Sequence, residues 1–211
     1  MKNDTAFIRE LAGLAPIIPV IVVDDVADAI PLATALVRGG LPVLEVTLRT
    51  DAALDVITAM ATVEGARVGA GTLVTPEDVT AAVAAGATFG VTPGSPPALI
   101  DACLQAGLPL LPGAATATEA MTLQDRGFEV LKFFPAEGAG GITTLKGLGG
   151  PLPGLSFCPT GGVSPKNAAD YLALPNVACA GGSWIAPLDL VKAGAWDEIE
   201  RRAAEASALP R

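Results

Sequence analysis

VLKFFPA, residues 130–136, is an apolar run of strand character broken once, by Lys132. Leu131 stands on one side of the lysine and Phe133 and Phe134 on the other. The chain has five lysines, and Lys2, Lys146, Lys166 and Lys192 lie in polar or helical surroundings. Burying an ammonium costs several kcal/mol unless it is paired, and the usual relief is a depressed pKa. A lysine neutral for part of the time attacks ketones, the first step of Schiff-base catalysis. The plainer reading is a lysine that snorkels or pairs with a buried acid. From this run alone both stand.

Working outward, runs of the same character recur along the chain. PIIPVIVV, PVLEVTL, RVGAGTL, TFGVTPG and PLLPGA precede it, and LSFCPTGG and VACAGG follow. Each leads into a helix-like segment. Asp51, Thr75 and Ser164 stand where helices are capped, and Gly86, Gly107 and Gly127 where helices stop before the next strand. Eight strand–helix units without a linker predict an α/β protein, a single (β/α)₈ TIM barrel over residues 1–211. An extra N-terminal helix is expected over 1–15 and a charged C-terminal helix over 194–211. The competing arrangement is an open, doubly wound sheet, which lacks support because no GxGxxG follows the first strand.

Composition narrows the function. A net charge of −9 argues against nucleic acid or an anionic membrane as partner, since phosphate backbones demand clustered Lys and Arg. Histidine is absent, which removes Ser-His-Asp triads and His-liganded zinc. Cys103, Cys158 and Cys179 show no CxxC spacing and sit in apolar contexts, which predicts buried free thiols in a reducing compartment. The first fifteen residues lack the continuous apolar stretch of a signal peptide, and no segment has the length of a membrane span. The expectation is a soluble, cytoplasmic protein.

Strand alternation then sorts the polar residues. In VLEVTLRT one parity holds Leu44, Val46 and Leu48, suited to packing under helices. The other holds Glu45, Thr47 and Arg49. In VLKFFP, Leu131 and Phe133 point outward and Val130, Lys132 and Phe134 inward. Glu45 and Lys132 should therefore share the interior, as a structural ion pair or as a base beside a nucleophile. Arg49 at the mouth of the same strand is suited to grip a ligand carboxylate, and Thr72 could add a hydroxyl. Gly161 and Gly162 follow the seventh strand, and Gly181, Gly182 and Ser183 the eighth. Barrel phosphate sites use those two loops, because glycines let backbone N–H groups approach an oxyanion.

Taken in order, LEVTLRT, GAGT, VTPG, LPGAATATE, LKFFPAE, LKGLGGP, PTGGVSPKNAADYLA and GGSW resemble the 2-keto-3-deoxy-6-phosphogluconate (KDPG) aldolase family of the Entner–Doudoroff pathway. The resemblance runs from about Pro16 to Trp184. It implies a trimeric (β/α)₈ barrel and a class I aldolase that needs no metal or other cofactor. It implies Lys132 as the Schiff-base residue and Glu45 as general acid/base, with Arg49 and Thr72 near the pyruvate carboxylate. Pro93 and Phe134 would wall the pocket, and Gly161, Gly162, Gly182 and Ser183 would hold phosphate. The partners implied are a phosphorylated keto acid, pyruvate and glyceraldehyde 3-phosphate. GAATATE and ACAGG depart from the family's usual GVxTPTE and Val-rich VGG, which leaves open the C4 stereochemistry. Members of the family also cleave 4-hydroxy-2-oxoglutarate or accept the galactonate epimer. An isomerase or epimerase using Glu45 as base shares the glycine loops but forms no covalent adduct. A sugar-phosphate binding module would tolerate Lys132→Met.

Overall fold

In a computed structural model, residues 3–210 are described. Helix α1 (Thr5–Leu14) precedes strand β1 (Ile17–Ile21). Strand and helix then alternate: α2 (Ala29–Arg38), β2 (Val43–Thr47), α3 (Ala53–Met60), β3 (Arg67–Gly71) and α4 (Pro76–Ala84). There follow β4 (Phe89–Val91), α5 (Pro97–Ala106), β5 (Leu110–Leu111), β6 (Gly113–Ala114), α6 (Ala117–Asp125) and β7 (Val130–Phe133). The chain continues through α7 (Gly141–Gly149), β8 (Ser156–Pro159), α8 (Ala168–Leu172) and β9 (Ala180–Gly182) to α9 (Leu188–Lys192) and α10 (Trp196–Ser207). The expected terminal helices are thus shorter than predicted; positions 1, 2 and 211 of those expectations, Lys2 among them, lie outside the described residues. None of the described helices is long and apolar enough to cross a membrane.

The strands pair in parallel and form a curled sheet. One ladder runs β5-β4-β3-β2-β1-β9 and a second runs β6-β7-β8. The predicted fifth strand, PLLPGA, is divided between them at Pro112. Proline has no N–H to donate, so it interrupts the ladder, while its carbonyl still accepts from the Lys132 N–H at 2.8 Å. Isolated parallel bridges, Phe157 to Val177 and Thr160 to Gly181, tie β8 to the β9 segment.

Alternation works as expected. Leu44, Val46, Leu131 and Phe133 join the layer packed under the helices, with Leu32, Leu36, Val56 and Ile57. Ile18, Val43, Phe89, Leu111, Val130 and Cys179 form a second cluster on the other face, closed by Ile8, Leu11 and Ala12 of α1. Helix α1 is capped by Asp4, which accepts from the Phe7 N–H at 3.0 Å. Asn3 fastens it to β5 by bonding both the N–H and the carbonyl of Leu110. All three cysteines are buried, and burial pushes the Cys103 thiol up to about 11.

Thr75 caps α4 in a reciprocal box with Asp78, and Thr116 with Glu119 does the same for α6. Asp51 and Ser164 do not cap. The turn after β2 lets the Thr50 carbonyl accept from the Ala53 N–H, and α3 begins without a side-chain cap. At α8, Asn167 folds back to accept from the Ser164 N–H at 2.7 Å, so the helix starts only at Ala168. Gly86, Gly107 and Gly127 have positive φ, and Gly107 ends α5 in the left-handed conformation.

Candidate active site

Lys132 and Glu45 meet. The lysine Nζ donates to Glu45 Oε1 at 2.9 Å, and the two residues are 5% and 2% exposed. They come from β7 and β2, which share no ladder, and they face each other because both occupy the concave-facing parity of their strands. The ammonium also lies 5.3 Å from the centre of the Phe134 ring, within reach of its negative face. Such a pair loses its water on both sides, so its attraction offsets desolvation rather than adding much stability.

Room for the carboxylate comes from a missing side chain. A Cβ on Gly71 would fall 2.5 Å from Glu45 Oε1 and 2.6 Å from its Cγ. Two positions earlier, Gly69 accommodates the Phe89 ring in the same way. The motif GAGT is therefore a pair of vacancies on one strand face, followed by Thr72, whose φ of +62° puts a β-branched residue in the left-handed region. That conformation costs on the order of 1–3 kcal/mol and persists only where the surroundings impose it. Thr72 is half-buried, and its hydroxyl has no partner among the described residues. Thr47, on the same parity as Glu45, is committed elsewhere and donates to the Ile21 carbonyl at 2.8 Å.

Beside this pair opens a cleft of about 440 Å³, lined by Val20, Arg49, Phe134, Thr160, Gly161, Gly162, Gly181 and Ser183 among others. Arg49 is exposed, and its guanidinium makes no ion pair with a described residue. The glycines at 161 and 162 have φ of +99° and +84°, a conformation that side chains disfavour. Phe134 touches both places, with its ring near Lys132 and also lining the cleft.

Not every predicted residue lines this cleft. Pro93 is half-buried after β4, where its backbone packs so closely on Gly113 that a Cβ there would clash at 2.4 Å. Gly182 is covered by the Trp184 ring instead. The sequence reading named Gly181 but did not single out Thr160, which also lines the cleft. Thr160 stands 2.3 Å from where a Cβ on Gly181 would lie, so Gly181 rather than Gly182 admits the threonine. The PTGG and AGG motifs held that signal, but only the β8–β9 bridge reveals which glycine meets Thr160.

The aldolase family described as KDPG and KHG aldolase matches residues 8–202. The 2-dehydro-3-deoxy-phosphogluconate aldolase of Pseudoalteromonas atlantica is 50% identical over 208 residues, 98% of this chain and 97% of that one. A crystal structure of the 2-keto-3-deoxy-6-phosphogluconate aldolase of Zymomonas mobilis ZM4 with 3-phosphoglycerate superposes with a TM-score of 0.92 at 43% identity, covering 98% of both chains. The KDPG aldolase of Legionella pneumophila, with pyruvate captured as a covalent carbinolamine intermediate, gives 0.92 at 44% identity over 95% of this chain and 98% of that one. With an ordered run of motifs, a curled parallel sheet and identity along nearly its whole length, the chain belongs to the KDPG and KHG aldolase family.

Proposed function

We propose that this chain is a class I aldolase that splits 2-keto-3-deoxy-6-phosphogluconate into pyruvate and glyceraldehyde 3-phosphate, with 4-hydroxy-2-oxoglutarate as a second substrate. The observation that carries the reading is the buried Lys132–Glu45 pair at 2.9 Å beside a glycine-lined cleft. Lys132 Nζ, its proton transferred away, adds to the C2 ketone to give a carbinolamine, which loses water to form an iminium. Glu45 takes the C4 hydroxyl proton, directly or through a water. The C3–C4 bond then breaks, its electron pair entering the enamine while C4 becomes the aldehyde carbon. Protonation at C3 and hydrolysis release pyruvate and restore the amine.

Arg49 and Thr72 hold the keto-acid carboxylate in this reading, and Pro93 and Phe134 form its walls. Gly161, Gly162 and Gly182 offer backbone N–H groups to the phosphate, and Ser183 its hydroxyl. The two ladders and the β8–β9 bridges are read as one (β/α)₈ barrel domain with α1 as an added N-terminal helix. Family resemblance supports a homotrimer, and three buried cysteines without CxxC spacing agree with a cytoplasmic setting. The test is borohydride reduction in the presence of pyruvate, followed by peptide mass mapping. A pyruvyl adduct on Lys132 is expected; its absence in folded protein overturns the reading in favour of an isomerase.

A further inference from the structure

Tyr171 is the one tyrosine of the chain, fully buried in α8, and the mechanism above leaves it unused. Its hydroxyl donates a hydrogen bond to Glu137 Oε1. Burial, and then the Glu137 carboxylate, push the tyrosine pKa well above its ordinary range, which keeps it a donor at neutral pH. Glu137 closes the LKFFPAE motif, and its side chain lies across the glycine loop: a Cβ on Gly162 would come within 2.4 Å of Glu137 Cγ. The backbone N–H groups of Ala136 and Glu137 donate to the carbonyls of Thr160 and Gly161 at 2.8 and 3.0 Å. From the other side, Asn167 Nδ2 donates to the Gly162 carbonyl at 3.2 Å. A loop with two positive-φ glycines has many conformations of its own, and here three hydrogen bonds and the Glu137 side chain select one.

We infer that Tyr171 and Glu137 are positioning residues: their hydrogen bond fixes the segment after β7 onto the glycine loop and so sets the affinity of that loop for a phosphate group. Backbone N–H groups already ordered in the folded protein bind an anion more tightly than groups that must be ordered on binding. The Lys132–Glu45 pair has no hydrogen bond to either residue, so carbon–carbon cleavage stays outside their reach. The inference rests on the aldolase reading for the substrate, but not for the phosphate.

The experiment measures the dissociation constant of inorganic phosphate by calorimetry for the wild type, Tyr171→Phe, Glu137→Gln and Glu137→Ala. It adds KM for KDPG and the rate of pyruvate-dependent borohydride inactivation. Tyr171→Phe and Glu137→Ala should weaken phosphate binding and raise KM by about tenfold, the effect of losing one charge-assisted hydrogen bond. Glu137→Gln, which keeps an acceptor for the hydroxyl, should remain near wild type. Inactivation by pyruvate, which carries no phosphate, should be unchanged in all three. Unaltered phosphate affinity in Tyr171→Phe overturns the inference, as does a wild type that binds no phosphate. A parallel fall in pyruvate trapping does so too, because it marks a merely structural role. Phosphate binding without any pyruvate adduct in the wild type instead overturns the aldolase reading alone.

Discussion

Where the strands begin, Val43 and Val130 pack with Phe89 and Cys179 against Ile8 and Leu11 of α1. Two residues further along the same strands, and on the same face, stand Glu45 and Lys132. A step of two residues is about 7 Å, so one layer of side chains separates an apolar plug from a buried charge pair. The plug gains free energy from the area it removes from water. The charge pair above it gains little, because each ion gives up its hydration. One layer holds the sheet together; the other contributes little to that and places an acid and an amine side by side.

The sharpest way to break that contrast is Lys132→Ala. Turnover should fall by roughly 10⁴-fold or more, as when a nucleophile is removed, while circular dichroism still reports a folded protein. Wild-type activity in this variant would sink the mechanism. Glu45→Gln should slow cleavage by roughly 10²- to 10⁴-fold and still allow trapping with pyruvate. Unchanged proton exchange at the pyruvate methyl group would count against its role. In the plug, Leu11→Ala should cost about 2–5 kcal/mol in urea unfolding and leave kcat per folded molecule as it was. If kcat fell in step with stability, the two layers would not be separable.

The smallest effect is expected on α10, where the half-buried Glu198 pairs with the exposed Arg201 and the half-buried Arg202 at the surface. Hydrogen bonds from Arg201 and Arg202 lower its carboxyl from 4.5 to about 2. The stabilisation is therefore complete above the unfolded value and fades as the pH falls towards the folded one. Glu198→Gln should lower the urea midpoint slightly at neutral pH, by a difference that shrinks between about pH 5 and pH 2 and with added salt. A difference independent of pH would show that the carboxylate charge is not responsible. Surface pairs of this kind contribute little, because water and salt screen them.

Much of this was legible residue by residue. The lysine inside VLKFFPA and the glutamate inside VLEVTL stood on predictable faces, and Thr75 announced its helix. Other features needed neighbours. Asp51 is a good capping residue by type, but the turn from β2 supplies the Thr50 carbonyl and a later helix start. Pro112 was visible inside PLLPGA, yet whether a proline ends a ladder depends on which strand lies beside it. Gly71 looks like any turn glycine until Glu45 is found across it. Tyr171 reads as core until its hydroxyl is found on Glu137, 34 residues away.

Side-chain parity, the alternation of strand and helix, and the chemical types available were determined by the sequence itself. They are local, because an extended backbone turns successive residues to opposite faces whatever surrounds it. The meeting of Glu45 with Lys132, 87 residues apart, was decided by the tertiary structure. So was the choice of Gly181 rather than Gly182 beside Thr160. Register and curvature depend on how every helix packs on the whole sheet, and no single stretch of chain contains that information.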